Sequence, residues 1–199
     1  MLFPKQKKIT KKEINSLPLI SFKGQVHLCD NEKKINDAAR ELEKEEIIGF
    51  DTETKPSFKK GEYFYPSLIQ LASEKNVYLI HIKKSSITSQ IIKIFENKEI
   101  IKTGVAIKRD IEDLKKIKPF NPKNFIELSE IAKENGVENL GLRSLTALFF
   151  NSKLSKKEQV SNWARNKLTD SQIRYAATDA WISRKLYVLF KEKGLTNKQ

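Results

Sequence analysis

The sequence predicts an α/β fold built on a mixed sheet, and three features carry that reading. IIGFDTE, residues 47 to 53, is a nearly continuous apolar run that ends in acids, the pattern of a buried central strand. SLIQLA at 67 to 72 and VYLIHI at 77 to 82 are two further strand-like runs separated by the turn-like SEKN, so the three form a meander. Beyond them, helical and strand-like patterns alternate. With 199 residues and no long Gly, Ser or Pro tract, the chain is sized for one domain with a proper core.

Residues 1 to 20 carry Lys5, Lys7, Lys8, Lys11 and Lys12 with little apolar periodicity and read as a loosely held basic arm. The domain then spans 21 to 192, and 193 to 199 form a tail. A short strand is expected from Gln25 to Leu28, followed by a helix capped by Asp30 or Asn31 whose Ile35, Ala38, Ala39 and Leu42 share one face. KPSFKKGEYFYP is a polar, basic loop. A helix near 88 to 96, a strand at 100 to 105, a helix near 107 to 116 and a strand near 124 to 127 follow, with helices thereafter. Thr169 and Gln172 make a T-x-x-Q capping box that starts the last long helix.

Composition narrows the function classes. No apolar stretch approaches the roughly 20 residues that cross a bilayer. The N-terminus lacks an apolar core followed by a small-residue cleavage site, so an intracellular, cytoplasmic setting is expected, nucleoid-associated in a bacterium. The lone Cys29 makes no internal disulfide, and beside only His27 and His81 it builds no Cys/His zinc site, so any metal must be held by oxygen. Lys and Arg number 38 against 25 Asp and Glu, a formal charge of +13 that favours nucleic acid as partner and equally describes a solvated lysine-rich surface.

Acids are the candidate chemistry inside this basic chain. Asp51 and Glu53, two apart on a strand, project from one face while Thr52 points to the other. Taken alone, such a pair also caps turns or faces water. Tyr175 and Asp179, four apart in YAATDA, stack on one face of a helix, and Ala176, Ala177 and Ala180 let that helix lie close to the sheet. Asp110, in GVAIKRD, opens the helix after the strand at 100 to 105, with Glu112 and Asp113 as competitors.

The ordered set FDTE, GVAIKRD and NWARNKLTDSQIRYAATDA resembles the three motifs of the DEDD exonuclease superfamily, tyrosine subtype. It is most similar to the Werner-syndrome-protein-type exonuclease domain, with RNase D a near cousin, from roughly residue 25 to 190. The resemblance implies an RNase H-like fold with a mixed five-stranded sheet. It makes Asp51, Glu53, Asp110 and Asp179 the metal-binding acids and Tyr175 the aid to the attacking water; neither histidine is placed to give the histidine subtype. It implies two magnesium or manganese ions, Asp51 bridging them, Glu53 and Asp179 completing the first and Asp110 holding the second. Hard divalent ions prefer oxygen, and paired ions suit in-line displacement at phosphorus.

The function expected is 3′-5′ exonucleolytic hydrolysis of nucleic acid. DNA is favoured over RNA because RNase D carries extra helical domains after its nuclease domain, whereas this chain ends soon after the third motif. An RNase D-like exoribonuclease and an inactive nucleic-acid-binding module are the alternatives, and a helicase or repair partner would act in trans. Lys55, Lys59, Lys60, Lys108, Arg109, Arg143 and Arg165 are candidates to grip phosphates, and Phe58, Tyr63, Phe64 and Tyr65 to stack on terminal bases. Trp163 reads as a packing anchor.

Overall fold

The computed structural model describes residues 6 to 82 and 86 to 196. Six strands, β1 (Gln25–Cys29), β2 (Ile47–Thr54), β3 (Pro66–Ala72), β4 (Asn76–His81), β5 (Ile101–Gly104) and β6 (Phe125–Glu127), form one sheet in the order β1-β4-β3-β2-β5-β6. β2, β3 and β4 pair antiparallel as the expected meander, and β1, β5 and β6 join it in parallel. The sheet therefore holds one strand more than the five implied by the resemblance. β1 extends it along β4, where His27 stacks on Tyr78 at 5.0 Å.

Helices cover both faces. The even-numbered β2 residues Ile48 and Phe50 pack with β3 Ile69 and Leu71 beneath α2 (Glu32–Leu42), α3 (Ser89–Glu96) and α4 (Lys108–Ile117). Asn31, rather than Asp30, caps α2, its side chain accepting from the Lys34 N–H. The opposite face meets α7 (Asp170–Glu192), with α5 (Leu128–Glu134) and α6 (Leu142–Phe150) beside it. α7 opens on the predicted capping box, with Thr169 at the N-cap and Gln172 reaching back to it.

The approach of α7 to β2 is very close. Ala176, Ala177 and Ala180 are buried against the sheet, and Gly49 lies under the helix. A Cβ on Gly49 would overlap the Ala180 carbonyl oxygen and lie 3.0 Å from the Arg184 backbone nitrogen. Backbone atoms are on both sides of this contact, so it cannot yield by a side-chain rotation.

The N-terminal arm is not loose over its described part. α1 (Lys11–Ser16) carries a capping box of Thr10 and Glu13, and Ile14 is buried. Ile9 N–H donates to Asn139 Oδ1 at 2.8 Å, Glu138 N–H to the Lys7 carbonyl at 2.8 Å, and Ile20 N–H to the Lys153 carbonyl at 3.0 Å. The sequence view missed this because the arm's partners lie 130 or more residues away. Residues 1 to 5 of the arm and 197 to 199 of the tail lie outside the described residues.

Gly49→Ala is expected to cost about 3 kcal/mol or more, since overpacking at a backbone contact is at the high end of such changes. Thermal denaturation should show a fall of roughly 6 to 12 °C. An unchanged melting temperature would mean that the α7–β2 contact is looser than described.

Candidate active site

The strand alternation of β2 decides where its acids go. Asp51 and Glu53 emerge on the α7 face, while Thr52 points to the α4 face. From α7, Tyr175 and Asp179 descend toward the same strand end, and Asp179 is only 8% exposed. Asp110 arrives from the first turn of α4, where Thr52 Oγ1 donates to its Oδ1 at 2.6 Å. Asp51, Glu53, Tyr175 and Asp179 thus gather on the α7 side at one end of β2, with Asp110 across the strand beside Thr52. The competitors fall away: Glu112 is exposed, and Asp113 pairs with Lys116 at 3.1 Å on another part of α4.

The electrostatics show that the acids share one environment. Burial, then the charges of Asp179 and Asp110, raise the Asp51 carboxyl well above its ordinary range. Burial, followed by Asp51, Asp179 and Asp110, pushes Glu53 up to about 10. Burial lifts Asp179 to about 7 against the pull of the Tyr175 hydroxyl and the Arg143 charge. Asp110 is raised by burial to about 6, partly offset by Thr52. Tyr175 is raised too, first by burial and then by Asp179, Glu53 and Asp51, so its hydroxyl keeps its proton. Asp51 and Glu53 still retain accessible surface, so they are surrounded by protein yet reachable from a cleft.

Such a set fits divalent cations in chemistry. Every donor is oxygen, burial disfavours charge on all four acids with neighbouring carboxylates adding to it at Asp51 and Glu53, and cations would let all four ionise together. The cluster is nonetheless not closed. Among the described residues, no three Asp, Glu, His or Cys side chains gather as a preformed metal cage. Asp110 is turned to Thr52 on the other side of the strand, which keeps its oxygen apart from the α7-face acids.

Two features at the cluster were not singled out from sequence. Gln70 is fully buried, directly opposite Asp51 in the β2–β3 register, and its amide lowers Glu53, although neither amide atom makes a hydrogen bond of full geometry. A lone amide in the otherwise aliphatic run SLIQLA was the available signal. The second feature is a cavity of about 300 Å³ beside Tyr175 and Asp179, walled by Ile20 of the arm and the following Ser21 and edged by Lys157 and Arg174. It is composed of segments far apart in sequence.

The basic and aromatic candidates divide. Lys59, Lys60, Lys108, Arg109 and Arg165 are exposed, as is Phe58 at 84%. Lys55 lies 4.4 Å from the centroid of the Phe64 ring, which is half-buried. Arg143 is half-buried, with its Nε enclosed, and acts on Asp179 instead of standing in solvent as a surface phosphate grip. Trp163 is fully buried, 5.9 Å from Tyr175 between ring centroids, and is the packing anchor expected. Among the described residues, no helix is long and apolar enough to cross a membrane.

A mixed sheet flanked by helices, with acids collected at one end of its central strand, defines a nuclease-type α/β domain. The chain belongs to the 3′-5′ exonuclease family, whose pattern it matches over residues 26 to 194. It is 33% identical over 185 residues to the bifunctional 3′-5′ exonuclease/ATP-dependent helicase WRN of Mus musculus, covering 87% of this chain and 13% of that protein. The Nibbler EXO domain of Aedes aegypti superposes with a TM-score of 0.77 at 30% identity, covering 87% of this chain and 90% of that one. Escherichia coli RNase D, an exoribonuclease involved in structured RNA processing, shares the fold with a TM-score of 0.75 at 22% identity, covering 86% of this chain and 46% of that one.

The raised acids set a direction with pH. Asp179, about 7 in the fold against an ordinary value near 4, gives a contribution that is intact below about 4 and lost as pH rises through 7. In chelator, the melting temperature of the wild type should therefore drop relative to Asp179→Asn between pH 5 and 8. Added manganese should reverse the drop, and the manganese concentration needed should decrease over the same interval, because binding must displace protons. A manganese midpoint constant from pH 6 to 8 would contradict the shared-acid environment.

Proposed function

We propose that this chain is a metal-dependent 3′-5′ exonuclease that hydrolyses the terminal phosphodiester bond of a nucleic acid and releases nucleoside monophosphates. The observation that carries the reading is the placement of Asp51 and Glu53 at one end of β2, facing Asp179 of α7 and flanked by Asp110 of α4, whose charges both act on the two β2 acids. Two magnesium or manganese ions bound there would activate water on one side of the phosphorus and stabilise the departing 3′ oxygen on the other. Asp51 would contribute to both ions, Glu53 and Asp179 to one, and Asp110 to the other after turning from Thr52. Tyr175 keeps its proton at neutral pH, so its role is to orient the attacking water by hydrogen bonding rather than to deprotonate it. Arg143 offsets the charge on Asp179 from behind. Exposed Lys59, Lys60, Lys108, Arg109 and Arg165 would neutralise phosphates of the strand.

DNA is favoured slightly as the substrate, identity being 33% with the WRN relative against 28% with the Ribonuclease D of Haemophilus influenzae. RNA is the alternative. A 5′-labelled oligonucleotide series in DNA and RNA, single-stranded and with recessed 3′ ends, decides between them when incubated with magnesium, manganese or chelator. A ladder shortened from the 3′ end is expected, abolished by chelator and by Asp51→Ala, and slowed on the order of 100-fold by Tyr175→Phe. Binding without shortening would identify an inactive nucleic-acid-binding module, and cutting of a circular strand would refute end-dependence.

A further inference from the structure

The segment joining β2 to β3 leaves Phe58 84%, Tyr63 45% and Tyr65 47% exposed, three aromatics at the end of the strand that carries Asp51 and Glu53. Two of them are held in place. The Tyr63 ring stands edge-on to Tyr65 at 5.4 Å and 84°. The Arg109 guanidinium and the Lys116 ammonium each lie 5.5 Å from the Tyr63 ring centroid. Behind them is Asp113, only 6% exposed, which accepts from Lys116 at 3.1 Å, pairs with Arg109 at 3.8 Å and engages the Tyr63 hydroxyl.

These positions are not scattered along α4. Residues 109, 113 and 116 recur at i, i+4 and i+7, so they share one face of the helix. That helix begins beside Asp110, and Lys116 lies about 9 Å further along its axis. One buried carboxylate fixes two cations, so the assembly keeps a net positive charge and leaves two tyrosine rings open to solvent. The cations stay largely in solvent, Arg109 76% and Lys116 55% exposed, so they are accessible beside the rings. A strand reaching the acids would find flat rings for its bases and cations for its phosphates within this distance.

We propose that Tyr63 and Tyr65, with Arg109 and Lys116 held by Asp113, form a platform on which unpaired bases upstream of the scissile bond stack, the ligand being single-stranded nucleic acid. The proposal rests on the exonuclease reading and names its substrate class. A ring can take the face of a base only where that face is free of its neighbour, as in a single strand and not within a duplex. The upstream strand thus leaves the acids across α4, on the side away from the cavity beside Tyr175. The bases held are internal, in place of the terminal bases that composition pointed to. Asp113 is a positioning residue here, acting through the two cations and the phenol.

The test separates the two claims. Hydrolysis of the p-nitrophenyl ester of thymidine 5′-monophosphate by the wild type with manganese examines the acid site alone, since that ester has no upstream nucleotides. KM is then compared for a ten-nucleotide single strand and a dinucleotide. In Tyr63→Ala/Tyr65→Ala, the advantage of the ten-nucleotide strand should shrink about tenfold, as expected for the loss of base stacking. Tyr63→Trp should keep most of it, and circular dichroism of each variant confirms folding. Anisotropy of a labelled ten-nucleotide strand in chelator should show the same order of affinities, so an inert acid site leaves the platform testable. An unchanged advantage in the folded double variant, or degradation of blunt duplex as fast as of a strand with a 3′ overhang, would overturn the proposal.

Discussion

The close seating of α7 on β2 is the constraint from which the site follows. Asp179 and Tyr175 belong to the helix, whereas Asp51 and Glu53 belong to the strand, and side chains this short meet only when the two backbones nearly touch. Gly49 on one side and Ala176, Ala177 and Ala180 on the other remove the side-chain bulk that would hold them apart. One turn further along α7 the contact is fixed again, where Arg184 Nε donates to the Ile47 carbonyl at 3.0 Å. Small residues here are therefore part of the acid cluster's architecture, although none carries a charge.

Closeness has an electrostatic consequence that the rest of the chain must absorb. Burial pushes every acid of the cluster toward its protonated form, and neighbouring charge adds to it at Asp51 and Glu53, opposite to what a cation site requires when loaded. The groups around it act in the other direction. Arg143 and the Tyr175 hydroxyl lower Asp179, Thr52 lowers Asp110, and the Gln70 amide lowers Glu53. Positive charge on the surface serves a different purpose. It lies outside the cluster, where it attracts a polyanion without neutralising the acids that are to bind metal.

Much of this was legible in the sequence because it is local. Strand periodicity placed Asp51 and Glu53 together with Thr52 opposed, helical periodicity joined Tyr175 to Asp179, and the T-x-x-Q box fixed where α7 starts. What escaped was long-range. The arm looked loose because the groups that bind it, such as Asn139 and Lys153, are remote in sequence. Asp113 read as a competitor of Asp110, since only the folded loop shows Tyr63 above it. Arg143 resembled a surface cation because the wall that encloses its Nε belongs to other elements. Gln70 was visible as a letter, but its meaning depends on the register that sets it opposite Asp51.

The same alternation that gathers three acids also separates the fourth. Thr52 faces away from its neighbours on β2, and it is Thr52 that holds Asp110. The cluster thus straddles the end of one strand, with the α7-face acids on one side and Asp110 tethered on the other. A hydroxyl bound to a carboxylate oxygen is a neutral donor, and a cation is a far stronger partner for the same oxygen. On the proposed reading, loading would move Asp110 by a side-chain turn and leave the backbone of β2 and α4 in place. An open arrangement without cations and a closed one with them are then two states of one rigid scaffold, with the Thr52 hydrogen bond holding Asp110 in the open one.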